Sequence, residues 1–238
     1  YTNKTSLTSS HKGARDRVNK DSIVVDIGAG PGVVASELFK KSCVVYGIDE
    51  YIQDELTLSC KKTQKVNLDY INESEIEFKE SKLDSILLLD IIEHIKDADG
   101  FLHTLRNRFS SYNPDVIITT GNIAFFIMRL SLLFGVFQYG KKGILDKTHT
   151  RLYTFSSLKN LLKSAGYSIE EVEGIPIPFP LIFGDNIFSR SLLIINKLLI
   201  RLSKGFFSYQ IAIRAKIQPS LELLLKLSRK EGKIKSNN

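Results

Sequence analysis

Apolar residues in the first half of the chain fall into short unbroken runs, each closed by a polar or glycine-rich break. Ser22–Ile27, Cys43–Ile48, Leu83–Leu89 and Asp115–Thr120 read as strands, with a shorter one at Lys65–Leu68. Aliphatic runs of this kind fit parallel strands covered on both faces. Between them lie helical patterns at about Val33–Lys41, Tyr51–Ser59 and Asp97–Phe109. Strand and helix alternating at this spacing build right-handed βαβ units and a parallel sheet.

The second half is patterned differently. Ile123–Phe134 is apolar almost all round, broken mainly by Arg129 and Ser131. Phe155–Ala165 reads as a helix stopped at Gly166, and Tyr167–Glu173 as a strand. Ile175–Phe183 carries three prolines and is expected to be a loop, followed by a helix at Ile187–Lys204. Tyr209–Lys216 alternates, with Ile211, Ile213 and Ala215 on one face, and predicts a late antiparallel strand. The fold class is therefore α/β: a doubly wound, mostly parallel seven-stranded sheet with an antiparallel C-terminal strand. Residues 1–20 are expected to form a lid or loose segment. Residues 21–232 form one domain with helical insertions near 123–150 and 185–205, and 233–238 a disordered tail.

The chemistry starts at Ser22–Gly32, read SIVVDIGAGPG. Gly28, Gly30 and Gly32 let the backbone approach a ligand where a Cβ would clash. A dinucleotide fingerprint would place its third glycine at position 33, which is Val33. That disfavours a nicotinamide oxidoreductase. Ligands of open α/β sheets sit at the carboxyl ends of the strands, and four acids fall at such ends: Asp26, Asp49, Asp69 and Asp90. One such acid by itself could be a solvated strand-end residue; the four in register mark a binding edge.

The D-x-G-x-G-x-G pattern resembles motif I of class I S-adenosylmethionine-dependent methyltransferases. The resemblance implies that S-adenosylmethionine lies against Asp26, Gly28, Ala29, Gly30 and Gly32. Asp49, with Glu50 beside it, would hold the ribose, Asp69 the adenine amine, and Asp90 would line the same cleft. It also implies that the extra helices lie over the acceptor site. Ser85–Ile95, SILLLDIIEHI, is similar to the segment that ends in D-x-x-E-H in small-molecule methyltransferases. A related branch, the ubiquinone-biosynthesis O-methyltransferases, can place a divalent ion there. Here Asp90 replaces the glutamate of that pattern and no other ligand cluster is visible in the sequence, so no metal is expected.

From Gly121 to Tyr167 the chain looks like a bacterial methyltransferase group encoded beside, or fused to, surface-polysaccharide glycosyltransferases. The matching residues are Asn122, the Gly143–Asp146 turn and Thr148-His149-Thr150-Arg151. His149 reads as the base or a substrate anchor, or as a hydrogen-bonded loop histidine. His94 and Asp90 join it as catalytic candidates. Asn122 and Arg151 are candidate substrate ligands; Arg151 would bind a phosphate or carboxylate, or brace Asp146. The implied reaction is methyl transfer to a hydroxyl of a sugar, a glycan precursor or another small molecule. The alternative is a non-catalytic S-adenosylmethionine-binding regulatory partner of a biosynthetic enzyme.

Composition adds bounds. The 238 residues are 43% apolar, ample for a core, and carry a net charge of +7. That charge favours an anionic acceptor, an acidic membrane surface or simple solubility. The basic residues are scattered and no nucleic-acid module is recognisable, so no nucleic-acid partner is expected. No run of eighteen apolar residues and no secretory signal appear, and the two cysteines form no disulfide framework. A cytoplasmic location is expected, peripheral to the inner face of the membrane if the basic amphipathic pattern at Phe188–Lys204 meets lipid. There Phe188, Leu192, Ile195, Leu199 and Leu202 follow helical spacing opposite Arg190, Lys197, Arg201 and Lys204. The ordinary reading is that this helix packs over the sheet edge, and a lipid-linked acceptor follows only from the other. The chain begins at Tyr1 and its single methionine is Met128, so it is expected to be a piece of a longer protein.

Overall fold

The computed structural model describes residues 10–219. The expected tail at 233–238 lies outside them. Seven strands form one sheet: β1 (Ile23–Ile27), β2 (Val44–Asp49), β3 (Lys62–Lys65), β4 (Ser85–Leu89), β5 (Asp115–Gly121), β6 (Tyr167–Ile175) and β7 (Gln210–Ile217). Their order is β3-β2-β1-β4-β5-β7-β6. The pairings β1 with β2, β1 with β4, β2 with β3 and β4 with β5 are parallel. β7 enters antiparallel between β5 and β6. This is the doubly wound, mostly parallel sheet expected, with its antiparallel strand one place in from the edge.

Nine α-helices accompany it among the described residues: α1 (Ser10–Arg17), α2 (Val33–Phe39), α3 (Asp54–Ser59), α4 (Ala98–Phe109), α5 (Phe126–Leu133), α6 (Phe155–Ser164), α7 (Phe179–Phe183), α8 (Ile187–Leu202) and α9 (Lys204–Phe207). Strand alternation divides the core. Val25, Ile27, Ile48, Ile86 and Leu88 face one side and pack with Phe101, Leu105 and Phe109 of α4 and Leu158 and Leu162 of α6. Val24, Val45, Leu87 and Ile117 face the other and pack with Ala14 of α1, Val34, Ala35 and Leu38 of α2 and Leu56 of α3. A third cluster, Phe125, Ile144 and Ile177, lies beyond the carboxyl end of the sheet.

Two expectations are corrected. The third strand is Lys62–Lys65, three residues earlier than Lys65–Leu68, so Asp69 lies in the turn that follows and not at the strand end. β3 has β2 as its one neighbour, and an edge strand needs no aliphatic run. The proline-rich stretch contains a helical turn, α7, with proline in its first turn, where the missing N–H breaks no hydrogen bond.

Candidate functional site

β1 runs into the glycine turn, and α2 leaves it. Gly28, Gly30 and Gly32 all have left-handed backbones, with φ of 73°, 54° and 77°. At Gly32 a Cβ would come within 2.7 Å of the Leu56 backbone, so that glycine lets α3 pack against the turn. At Gly30 an added Cβ would meet nothing within 4 Å; open space lies above it. Gly30 N–H donates to Asp49 Oδ2 at 2.8 Å, and Tyr51 N–H to Asp49 Oδ1 at 2.9 Å. The Asp49 carboxylate at the end of β2 therefore ties the glycine turn to its own loop. Each of its oxygens retains accepting capacity for a ligand hydroxyl. Ala29 lies in this turn, and Glu50 is exposed beside it, with Asn67 Nδ2 at 3.3 Å from its Oε1.

Asp26 is buried under the turn. Burial, reinforced by the charge of Asp49, pushes its carboxyl up to about 7. Asp69 accepts the Lys96 backbone N–H at 2.9 Å and pairs with the Lys96 ammonium at 2.8 Å, which hold it below the usual carboxylate range. It is joined to the loop after β4 and sits beyond the β3 end.

The end of β4 is the most densely bonded corner. Asp90 takes a left-handed φ of 54°. Its carboxylate accepts Ser10 Oγ of α1 at 2.9 Å, Thr119 Oγ1 of β5 at 2.9 Å and Gln210 Nε2 of β7 at 3.0 Å. Three distant parts of the chain thus converge on one carboxylate. Glu93, three residues on, is buried and its Oε2 has no hydrogen-bond partner among the described residues. Burial, with Asp90 beside it, raises its carboxyl well above the ordinary range.

The Thr148–Arg151 segment docks on this turn. Thr150 N–H donates to Glu93 O at 2.8 Å, and Thr150 Oγ1 donates to Ile95 O at 3.0 Å. The docking brings His149 to His94, with ring centroids 4.8 Å apart in an edge-to-face arrangement. His94 Nδ1 lies 3.2 Å from Thr148 O, and His149 Nδ1 lies 2.9 Å from Ile144 O. A carbonyl only accepts, so both rings carry a hydrogen on Nδ1, which leaves Nε2 as the nitrogen able to act on a ligand. Burial and the neighbouring His149 lower the His94 pKa, which favours the neutral imidazole.

The two proposed substrate ligands are placed differently. Asn122 is fully buried: its amide donates to Gly205 O at 3.1 Å and Ser208 O at 2.9 Å, and its Oδ1 accepts from Ala124 N–H at 3.1 Å. These bonds fix the chain after β5 and leave that side chain no face toward an acceptor. Arg151 is half exposed and pairs with Asp99 at 3.1 Å, not with Asp146. Asp146 instead caps its own turn, accepting from Thr148 N and Oγ1. Ser10, Thr119 and Gln210 escaped sequence reasoning because nothing local marks residues that meet only through the fold. Among the described residues no three His, Cys, Asp or Glu side chains form a metal-ligating group.

The methyltransferase domain family matches residues 9–172. Two curated relatives are the mitochondrial ubiquinone biosynthesis O-methyltransferase of Homo sapiens and the ubiquinone biosynthesis O-methyltransferase of Rickettsia bellii. The human protein is 26% identical over 167 residues, which make up 64% of this chain and 43% of that one. The Rickettsia protein is 24% identical over 160 residues, 64% of either chain. The match thus spans less than two thirds of each relative. A solved S-adenosylmethionine-dependent methyltransferase from Archaeoglobus fulgidus superposes with a TM-score of 0.56 at 18% identity, covering 87% of this chain and 95% of that one. Magnesium protoporphyrin IX methyltransferase from Synechocystis, solved with bound S-adenosylhomocysteine, gives 0.54 at 14% identity, covering 89% and 84%. The residues present fit S-adenosylmethionine: a glycine turn with open space above it, and Asp49 beside it with acceptor capacity for a ribose. The chain belongs to the methyltransferase domain family and has the fold of the class I S-adenosylmethionine-dependent enzymes.

Proposed function

We propose that this chain transfers the methyl group of S-adenosylmethionine to a hydroxyl of a small-molecule acceptor, with the His94–His149 pair at the acceptor. The observation that carries the reading is the contact of the two rings, each with its Nδ1 against a main-chain carbonyl. That arrangement leaves each Nε2 for an acceptor hydroxyl, on the loops beyond the carboxyl end of the sheet. When bound, the sulfonium supplies an already activated methyl. The chain has to hold the acceptor oxygen in line with it and take up a proton.

In this reading His149 takes the proton or anchors the hydroxyl, while His94, kept neutral by burial, orients it. The Asp90 network fixes the turn that carries His94, and Arg151 is placed at the rim to meet an anionic group. The curated relatives are O-methyltransferases, which favours an oxygen acceptor. The Gly121–Tyr167 resemblance favours a sugar or glycan precursor over a phenolic ring. The test is methyl transfer from labelled S-adenosylmethionine to paired sugar and catechol acceptors, with calorimetry of S-adenosylhomocysteine against NAD. Binding of S-adenosylhomocysteine with turnover on a hydroxyl acceptor is expected. Binding without turnover on any acceptor would support a regulatory partner, and preference for NAD would overturn the reading.

A further inference from the structure

Helix α8 is inverted. Its buried positions are Ser189, Leu193, Asn196 and Ile200, two of them polar, with Asn196 bonded to Ile177 N–H and Phe207 O. Its outward positions include Ile187, Phe188, Ile194, Ile195, Leu198 and Leu202, each between 52% and 85% exposed. The apolar stripe noted in the sequence is therefore turned largely away from the protein, against the ordinary pattern of a helix packed on a sheet.

The stripe continues onto neighbouring elements. Leu181, Ile182 and Phe183 of α7 are more than half exposed, and Phe183 meets Phe188 edge to face. Leu133 and Phe134 at the end of α5 are more than 70% exposed. α5 joins the same lobe where Phe126 stacks on Phe206, and Phe125, Ile144 and Ile177 make the small core beneath. Scattered surface leucines need no explanation, but an exposed apolar field shared by α7 and α8, with more at the end of α5, does.

Charge says what covers it. Residues 123–147 and 175–209 carry eight Lys and Arg against two carboxylates, Asp146 and Asp185. Six of the chain's net seven positive charges thus flank this lobe. On α8, Arg190, Lys197 and Arg201 line one border of the apolar stripe. A second copy of the chain meeting this face by two-fold symmetry would bring positive rim to positive rim. An acidic surface with an apolar interior matches both parts.

We propose that α8, with α7 and the end of α5, lies in the interface of an anionic phospholipid bilayer, apolar side chains in the acyl boundary and Lys and Arg at the headgroups. Among the described residues no helix is long and apolar enough to cross a membrane, so the contact is planar. Ile144, whose carbonyl holds His149, is part of the small core of this lobe, so the proposed docking brings the acceptor end of the site near the lipid surface. An acceptor carried on a lipid anchor fits that placement.

The test is co-sedimentation of the whole chain with phosphatidylcholine vesicles, with and without phosphatidylglycerol. Binding is expected to the anionic vesicles, weakened by salt. An Ile195→Glu/Leu198→Glu variant is expected to lose at least about tenfold in partitioning. Lys197→Glu/Arg201→Glu is expected to lose about as much on anionic vesicles. Both variants change exposed positions and should keep the wild-type melting temperature and S-adenosylhomocysteine affinity. Absence of binding to either vesicle, or equal binding to both, overturns the proposal. So does a solution dimer that the Ile195→Glu/Leu198→Glu variant converts to monomer without any vesicle binding. Cofactor affinity is read in the same samples, so failure here leaves the methyl-transfer reading standing.

Discussion

His94 and His149, fifty-five positions apart, meet edge to face, and each gives its Nδ1 hydrogen to a main-chain carbonyl. The His149 contact lies within its own loop, five residues back, whereas the His94 contact and the ring pair are long-range. The long-range contacts depend on the Thr148–Arg151 segment lying against the Glu93–Ile95 turn, where Thr150 bonds to two carbonyls.

Replacing His149 by Ala is predicted to lower methyl transfer by about 10²- to 10⁴-fold, the usual worth of a positioned base. Affinity for S-adenosylhomocysteine should stay within about threefold, since the ring lies at the acceptor end of the site. Single-turnover kinetics with calorimetry separates the two. Unchanged turnover would remove His149 from the chemistry.

The lowered pKa of His94 sets the sign of the pH profile. His94 orients the acceptor only as a neutral ring, so the acid limb on which it becomes charged should fall below the ordinary histidine value of 6.5. His94→Gln keeps a hydrogen-bonding side chain and should remove that limb. Rate measurements from pH 5 to about 8 decide it.

Gly30 and Gly32 should separate stability from binding. Gly32→Ala forces a Cβ against the Leu56 backbone and a left-handed φ on alanine, and should cost about 2 kcal/mol or more in chemical denaturation. Gly30→Ala meets no protein atom and should cost only about 1 kcal/mol. Its methyl group nevertheless fills the space where the cofactor would lie, so S-adenosylhomocysteine binding should fall at least about tenfold by calorimetry.

Asp26 makes stability fall with rising pH. Its folded pKa, pushed up to about 7 by burial and Asp49, exceeds the unfolded value of 3.8, so the native state holds the proton more tightly. The ligand-free protein should lose stability between those two values, at no more than about 1.4 kcal/mol per pH unit from this group. Asp26→Asn should flatten that slope in melts between pH 5 and about 8. A cationic sulfonium favours the ionised carboxylate. S-adenosylmethionine should therefore gain on neutral-sulfur S-adenosylhomocysteine as pH rises through the same window.

Much of this was legible in the chain because the signals are local. Val24, Val45 and Leu87 sit in unbroken aliphatic runs, and central parallel strands require them. The glycine turn declares itself by spacing, as does Asp49 at the end of β2. β3 did not, because KTQK on an edge strand carries no burial signal. Asn122 was legible as special but not as structural: the carbonyls of Gly205 and Ser208 that occupy it lie more than eighty residues away. Periodicity likewise gave the α8 stripe but not its direction, because a helical wheel does not say which side the rest of the fold will cover.

Among the described residues β7 is the last strand of the sheet to be synthesised, yet its place is between β5 and β6. Until residue 217 has emerged, β6 has no partner in the sheet, and Asp90 lacks the amide of Gln210. The Asp90 corner therefore stays incomplete until β7 has emerged, and a nascent chain stalled before that point leaves the β5 edge of the sheet open.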